Sequence, residues 1–478
     1  MATIVVDGVE VEVRDGTNLL HALLERGYDL PYFCWHPALG SVGACRQCAV
    51  MTYSDENDER GQLVMACMTP VADGLRVSLQ APDAVEMRTA VIEWLMLNHP
   101  HDCPVCDEGG ECHLQDMTVM AGHAYRRTRF PKRTYRNQDL GPVVEHEMNR
   151  CIQCYRCVRF YRDHAGGTDL DVFGAHDWVY FGRQADGALE SELAGNLVEV
   201  CPTGVFTDKT LKRHYTRKWD LETAPSVCVH CSVGCNTIVG ARYGTVRRIL
   251  NRYHHEVNGY FLCDRGRAGY EHADHERRLR AAVVRGQDEA STAAADAALA
   301  AAVERLAACD TIVGIGSPRA SLEDNFALRR LVGPERFSTG LAAAEHRAAE
   351  LSLELLAAGP APPASLGEVE RADAVLLLGE DLTQSAPIAA LAVRQASRVA
   401  PFARAAERAG VGAWHDTAVR DAAGEERGPV YVLTPDATKL DDAARRAHRA
   451  APADIARLAA AVAAALDRSE EHTSELQS

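Results

Sequence analysis

Three cysteines stand at every third position of residues 150–160, RCIQCYRCVRF: Cys151, Cys154 and Cys157. A fourth, Cys201, follows an insertion of 43 residues and precedes Pro202. Thiolates so spaced can wrap three corners of a cubane iron–sulfur cluster, and the usual fourth ligand is a Cys-Pro pair. Tetrahedral zinc rarely takes three ligands from one such run. A thiolate-bound cluster carries net negative charge, so Arg150, Arg156, Arg159 and Arg162 are expected to offset it. The plainer alternative is that they line a surface helix.

Three further sets share this chemistry. Cys34-x10-Cys45-x2-Cys48-x18-Cys67 suits a binuclear cluster: it departs from the plant-type spacing but keeps a loop, a close pair and a distant fourth thiol. Ser41, Gly43 and Ala44 beside these thiols let backbone N–H groups approach cluster sulfurs. HPHDCPVCDEGGEC supplies Cys103, Cys106 and Cys112, one thiol short of four, and His99 or His101 can complete it. A neutral imidazole in place of a thiolate makes a cluster less negative and raises its potential. In two-cluster ferredoxins the Cys-Pro ligand serves the other cluster, so Cys201 and the histidine are exchangeable by spacing alone. Cys228-x2-Cys231-x3-Cys235-x27-Cys263 reads by itself as a zinc ribbon or a cubane site, and its company favours the cubane. Together the sets take fifteen of the sixteen cysteines and imply about 14 irons. The remaining one, Cys309, reads as a packed structural thiol.

These residues need scaffolds. At 478 residues the chain has room for two to four domains. The N-terminus ATIVVDGVEVEV alternates around Asp7-Gly8 as a hairpin does and lacks a signal-peptide profile. A helix is expected over Asn18–Arg26 with Leu19, Leu20, Leu23 and Leu24 on one face and Gly27 as its stop, then strands near Ala49–Tyr53 and Leu75–Leu79. Cys34, Cys45, Cys48 and Cys67 fall in the loops between them. A helix over Ala84–Leu97 leads into the cysteine-rich loops. Beyond about residue 278, Ala-rich helices alternate with short apolar strands at TIVGIG (311–316), AVLLLG (374–379) and VYVLT (430–434), a parallel α/β pattern. Residues 357–367 read as a surface loop. No apolar run is long enough to span a bilayer, and a reduced compartment disfavours disulfides for so many cysteines. The net charge of −16 argues against nucleic acid as main partner. The one basic island, YRRTRFPKRTYR (125–136), reads as a solvated face or an interface rather than a single-strand binding patch.

NHPHDCPVCDEGGECHLQD, CIQCYRCVRF, EVCPTG and CVHCSVGC, in this order, closely resemble the large iron–sulfur (G) subunits of bacterial NADH-quinone oxidoreductase, respiratory complex I, over residues 1 to about 467. The resemblance implies an α+β multidomain fold. Its parts are a β-grasp 2Fe-2S ferredoxin-type domain (1–83), a His/Cys-ligated 4Fe-4S region with two cubanes (84–218), and a 4Fe-4S domain of the molybdopterin-enzyme type (219–277). A partial molybdopterin-oxidoreductase-like α/β domain (278–467) follows. It also implies one 2Fe-2S and three 4Fe-4S clusters, no functional molybdopterin, His99 rather than His101 as the nitrogen ligand, and each cubane ligated within its own run. Electrons would arrive from the flavin/NADH-binding subunit, enter at Cys34, Cys45, Cys48 and Cys67, pass to Cys151, Cys154, Cys157 and Cys201, then to His99, Cys103, Cys106 and Cys112. They would leave toward the quinone-proximal subunits, with Cys228, Cys231, Cys235 and Cys263 off this line. Other implied partners are the 2Fe-2S subunit and the remaining peripheral-arm subunits. The implied place is the cytoplasmic face of the bacterial inner membrane, with membrane contact only through the complex.

Formate-dehydrogenase-type enzymes share the modular layout and are the rival reading. They carry a lysine in a C-x-K-G-R segment where this chain has Cys263-Asp264-Arg265-Gly266-Arg267, and they need a thiol or selenol on molybdenum. A zinc-binding interaction scaffold is the third reading. The final stretch RSEEHTSELQS (468–478) departs from the family pattern and reads as a translated sequencing adapter, with a charged disordered tail as the alternative. Family members continue well past it, so the α/β domain is expected to leave strands and apolar faces without partners.

Overall fold

A computed structural model describes residues 1–285, 290–359 and 361–475. It divides into two compact units, Met1–Tyr270 together with the stretch from Ser365 on, and Glu271–Ala364.

The N-terminal hairpin forms as its alternation requires. Strands β1 (Ala2–Val6) and β2 (Val9–Val13) pair antiparallel, Ala2 opposite Val13 and Val6 opposite Val9. Asp7 and Gly8 both take positive φ, 45° and 86°, as a two-residue primed turn demands. The Asp7 carboxylate accepts from Ser78 Oγ (2.6 Å) and Leu79 N (3.1 Å), pinning the turn to a strand 70 residues away. Helix α1 (Leu19–Glu25) is capped by Asn18, whose side chain accepts from His21 N at 2.9 Å, and Gly27 ends it at φ 80°. Leu19, Leu20 and Leu23 are fully buried. With β3 (Ala49–Tyr53), β4 (Gln62–Met65) and β5 (Arg76–Ser78) the sheet runs β2-β1-β5-β3-β4; β1 and β5 are parallel and the other neighbours antiparallel, the mixed sheet of a ferredoxin-like domain. Cys34, Cys45 and Cys48 lie in the loop before β3, whereas Cys67 sits in a 3-10 turn (Ala66–Met68), not in open loop.

Helix α2 (Pro82–Asn98) starts two residues earlier than expected, because proline at the first helical position costs no hydrogen bond. The strand expected at 311–316 shrinks to Gly314–Ile315, whose partner is the equally short Phe337–Ser338. The other two appear as Val375–Leu378 and Val430–Thr434, parallel to each other and to Arg446–Arg449. The expected loop at 357–367 is narrower: one helix runs to Ala358 and another starts at Leu366, capped by Ser365. Residue 360 lies outside the described residues. Cys309 is not packed: it is exposed, its Sγ 3.2 Å from the Arg305 carbonyl, because the preceding helix Ala295–Ala307 buries none of its residues. A helix, Pro452–Glu475, covers most of the stretch expected to be an adapter-derived tail, and 476–478 lie outside the described residues. Among the described residues no helix is long and apolar enough to cross a membrane.

Candidate metal centres

All sixteen cysteines are free thiols. The first set is gathered by left-handed backbone at Gly43 (φ 65°) and Arg46 (φ 58°), which curls the loop around its sulfurs. Hydrogen bonds from the Cys45 and Cys67 thiols hold Cys34 down to about 2, with Arg159 adding to the pull. The same contacts, with burial, push Cys45 and Cys67 up. Cys67 N lies 3.4 Å from Cys48 Sγ. Four sulfurs close enough to share protons form one site.

The second set faces a single small cleft walled by Ile152, Phe181, Val205 and Phe206. Left-handed Gln153 (φ 54°) and Tyr155 (φ 63°) turn the chain between its cysteines, and Gln153 N points at Cys151 Sγ (3.3 Å). Burial pushes all four thiols up, Cys154 to about 12, where Arg156 pulls the other way. After Cys157 the chain winds into a π-helical turn, Arg159–His164, with Ala165 N on Phe160 O at 2.8 Å; such wide turns concentrate at functional sites.

The arginines divide in their roles. Arg156 is buried and donates to the Trp35 carbonyl at 2.5 Å. Arg159 is buried too, donating to Cys34 O (2.8 Å) and Gly40 O (3.0 Å) and pairing with Asp416 (2.7 Å), so it ties the first set's loop to the second set's helix. Arg150 pairs with Asp102 at 2.7 Å and donates to Gly204 O at 3.2 Å. Arg162 departs from the expectation: half exposed, it pairs with Asp163 and Asp171. Buried arginines of this kind are not a surface row.

The third set lines a cavity of about 420 Å³. His99 caps the C-terminus of α2; its ring is buried, Nδ1 has no hydrogen-bond partner, and burial holds the imidazole at about 4, hence neutral near pH 7. The Lys132 ammonium donates to the His99 carbonyl at 2.5 Å. His101 lines the same cavity but is exposed. Burial pushes Cys112 up to about 12, whereas Cys103 is exposed. Cys112 Sγ lies 4.0 Å from the carbonyl of Pro202, the residue after Cys201, which also accepts from Leu114 N at 3.3 Å. A Cβ on Gly204 would stand 2.4 Å from Cys106 Sγ, so only glycine lets that sulfur sit against the segment after Cys201. The spacing rules did not select Gly204; its place in the CPTG run was the available signal.

In the fourth set Cys228 N donates to Cys235 O (2.8 Å), and Cys263 opens a short helix with its sulfur 3.4 Å from Gly266 N. A Cβ on Gly266 would lie 3.3 Å from Cys228 Sγ and 3.7 Å from Cys263 Sγ. Burial pushes Cys235 up to about 12, with Cys263, Cys228 and Cys231 adding to it.

The second set shares one cleft and the third lines one cavity, while the first is grouped by thiol–thiol contacts and Cys228 and Cys263 of the fourth meet at Gly266. Among the described residues no group of three or more His, Cys, Asp or Glu side chains is placed to hold a single metal ion. Sulfur-lined walls, an orphaned buried imidazole nitrogen and glycines where a Cβ would strike sulfur all fit polynuclear iron–sulfur groups. The basic island is tied down: Arg127 pairs with Glu93 (2.8 Å), and Lys132 caps carbonyls at the end of α2.

Four family models match the chain. They are the 2Fe-2S iron-sulfur cluster binding domain at 1–82, the NADH-ubiquinone oxidoreductase-G iron-sulfur binding region at 88–127, the NADH-quinone oxidoreductase subunit 3 ferredoxin-like domain at 141–207, and the molybdopterin oxidoreductase Fe4S4 domain at 221–275. One candidate set falls in each, so the chain carries 2Fe-2S and 4Fe-4S cluster-binding domains. Over 469 residues, 98% of its length, the chain is 56% identical to the G subunit of NADH-quinone oxidoreductase from Escherichia coli strain K12, covering 52% of that protein. It is 57% identical, again over 98% of its length, to the G subunit of the Pseudomonas putida KT2440 enzyme, covering 51%. The chain spans about half the length of the curated relatives it matches. A solved NAD+-reducing [NiFe]-hydrogenase shares 27% identity with a TM-score of 0.39, over 44% of this chain and 87% of that chain, a likeness too partial to define the fold. The resemblance read from the cysteine motifs holds over 98% of the chain.

Proposed function

We propose that this chain, alike along nearly its whole length to the G subunits of NADH-quinone oxidoreductase, is an electron relay of such a complex. Iron–sulfur clusters, when bound, supply one-electron uptake and release and leave substrate bonds untouched. The chain would hold one 2Fe-2S cluster on Cys34, Cys45, Cys48 and Cys67. Three 4Fe-4S clusters would sit on His99, Cys103, Cys106 and Cys112, on Cys151, Cys154, Cys157 and Cys201, and on Cys228, Cys231, Cys235 and Cys263.

The observation that carries this reading is the adjacency of the first three sets. Cys154 packs in the same apolar core as Cys34, Cys48 and Cys67, and Arg159 bridges their loops. On the far side the Pro202 peptide, bonded to Cys201, reaches the Cys112 sulfur. Cys112 of the third set lies in the same core as Cys34 and Cys154, so the three sites adjoin one another, which supports a relay among them. The residues contribute position and dryness: Phe181, Val205 and Phe206 keep water from the second site, and neutral His99 offers nitrogen without a proton to remove.

On this reading the domains are 1–83, 84–218, 219–277 and 278–467. The partners are the flavin/NADH-binding, 2Fe-2S and quinone-proximal subunits at the cytoplasmic face of the inner membrane. The test is EPR of anaerobically purified chain at stepped potentials. Several reduced-cluster signals are expected, with one cubane signal lost in Cys154→Ser; an unchanged spectrum in that variant would overturn the ligand assignment.

A further inference from the structure

Within the unit of Met1–Tyr270 and the stretch from Ser365 on lies a cavity of about 530 Å³, lined by no cysteine. Its size is that of small-molecule sites. Arg371, Arg398 and Arg420 line it together with Tyr253, Tyr260 and Trp414. Arg398, on the helix Pro387–Ala409, donates one hydrogen bond, from Nη1 to the His164 carbonyl at 3.2 Å, and has no carboxylate partner among the described residues. Its neighbours differ. Arg420 pairs with Asp416 (2.7 Å), and Arg394 holds Asp442 (2.8 Å). Asp163, the acid that acts on Arg398, is engaged by Arg162 at 2.7 Å. Of the cavity's own carboxylates, Asp416 is divided between Arg159 and Arg420, which leaves Glu370, next to Arg371.

Burial, together with Arg420, Arg394 and Arg427, pushes the Arg398 guanidinium down to about 9. A buried cation crowded by like charges is costly unless an anion meets it. The Tyr253 and Tyr260 rings also line the cavity, their centroids 4.5 Å apart and their planes inclined at 42°.

We propose that this cavity binds a phosphorylated small molecule bearing a planar ring, its phosphate on Arg398 and its ring against Tyr260. A planar guanidinium grips phosphate oxygens through paired N–H bonds, and aromatic faces reward a stacked ring. This site does not depend on the relay reading.

The test is calorimetric titration of ADP, and separately of inorganic pyrophosphate, into the anaerobically purified, cluster-loaded chain. ADP is expected to saturate one site and to bind more tightly than pyrophosphate. Arg398→Gln should weaken ADP by about tenfold or more, Arg398→Lys by less, with the EPR spectrum unchanged. Should Arg398→Gln not fold, Tyr260→Ala serves in its place and should weaken ADP while sparing pyrophosphate. Absence of saturable ADP binding, an unaltered ADP affinity in these variants, or pyrophosphate binding as tightly as ADP would each overturn the proposal.

Discussion

The second and third cysteine sets are neighbours joined by one peptide segment, and each sends a thiol into the same core, yet they differ in how they meet solvent. Around Cys151, Cys154, Cys157 and Cys201 the wall is closed by aromatic and aliphatic side chains, and the thiols are buried or half-buried. Around His99, Cys103, Cys106 and Cys112 the wall opens into a cavity of about 420 Å³ with Cys103 exposed. Both sites reach the core, through Cys154 in one and Cys112 in the other, but the third also reaches the surface at Cys103. The difference teaches that similar ligand types can be held by packing in one place and by local loop geometry in another, and that solvent reaches the two unequally, which separates cluster potentials.

The largest effect that would sharpen this contrast comes from Cys154→Ser set against Cys103→Ser. Each should remove about four irons. Cys154→Ser should also lower the melting temperature markedly, because Cys154 belongs to the core shared with Cys34 and Cys67, whereas Cys103→Ser should leave melting nearly unchanged. Equal losses of stability would break the comparison. Next comes Arg159→Ala. Removing a guanidinium that is 5% exposed and paired with an Asp416 side chain 8% exposed should cost about 3 kcal/mol in denaturant unfolding, against about 0.5 kcal/mol or less for surface Arg162→Ala.

A smaller change is expected from His99→Cys. A fourth thiolate makes the third cluster more negative, so its midpoint in a redox titration followed by EPR should fall while the second cluster's stays put. If His101 is the ligand instead, the titration will not move. Smallest is Gly204→Ala. Its methyl would meet Cys106 Sγ at 2.4 Å, so the third signal should broaden or shift with the other signals unaltered.

Much of the site was legible because ligand spacing is a local property. The hairpin at Asp7-Gly8, the helix that Gly27 ends and the four sets of thiols all follow from residues close in sequence. What escaped was long-range. Arg159 finds Asp416 across 257 residues, Arg150 finds Asp102 across 48, and no periodicity reports either pairing. The π-helical turn after Cys157 has no composition signature, and Gly204 matters only because Cys106 arrives from elsewhere in the fold. Cys309 misled in the other direction. An apolar strand follows it, but the helix Ala295–Ala307 before it buries nothing, so the thiol stays in water.

The central claim is that these sixteen ligands hold iron and inorganic sulfide. Iron, acid-labile sulfide and zinc measured together on the anaerobically purified chain test it most directly. About 14 irons per chain with matching sulfide and little zinc are expected; stoichiometric zinc with no labile sulfide would rule iron–sulfur clusters out.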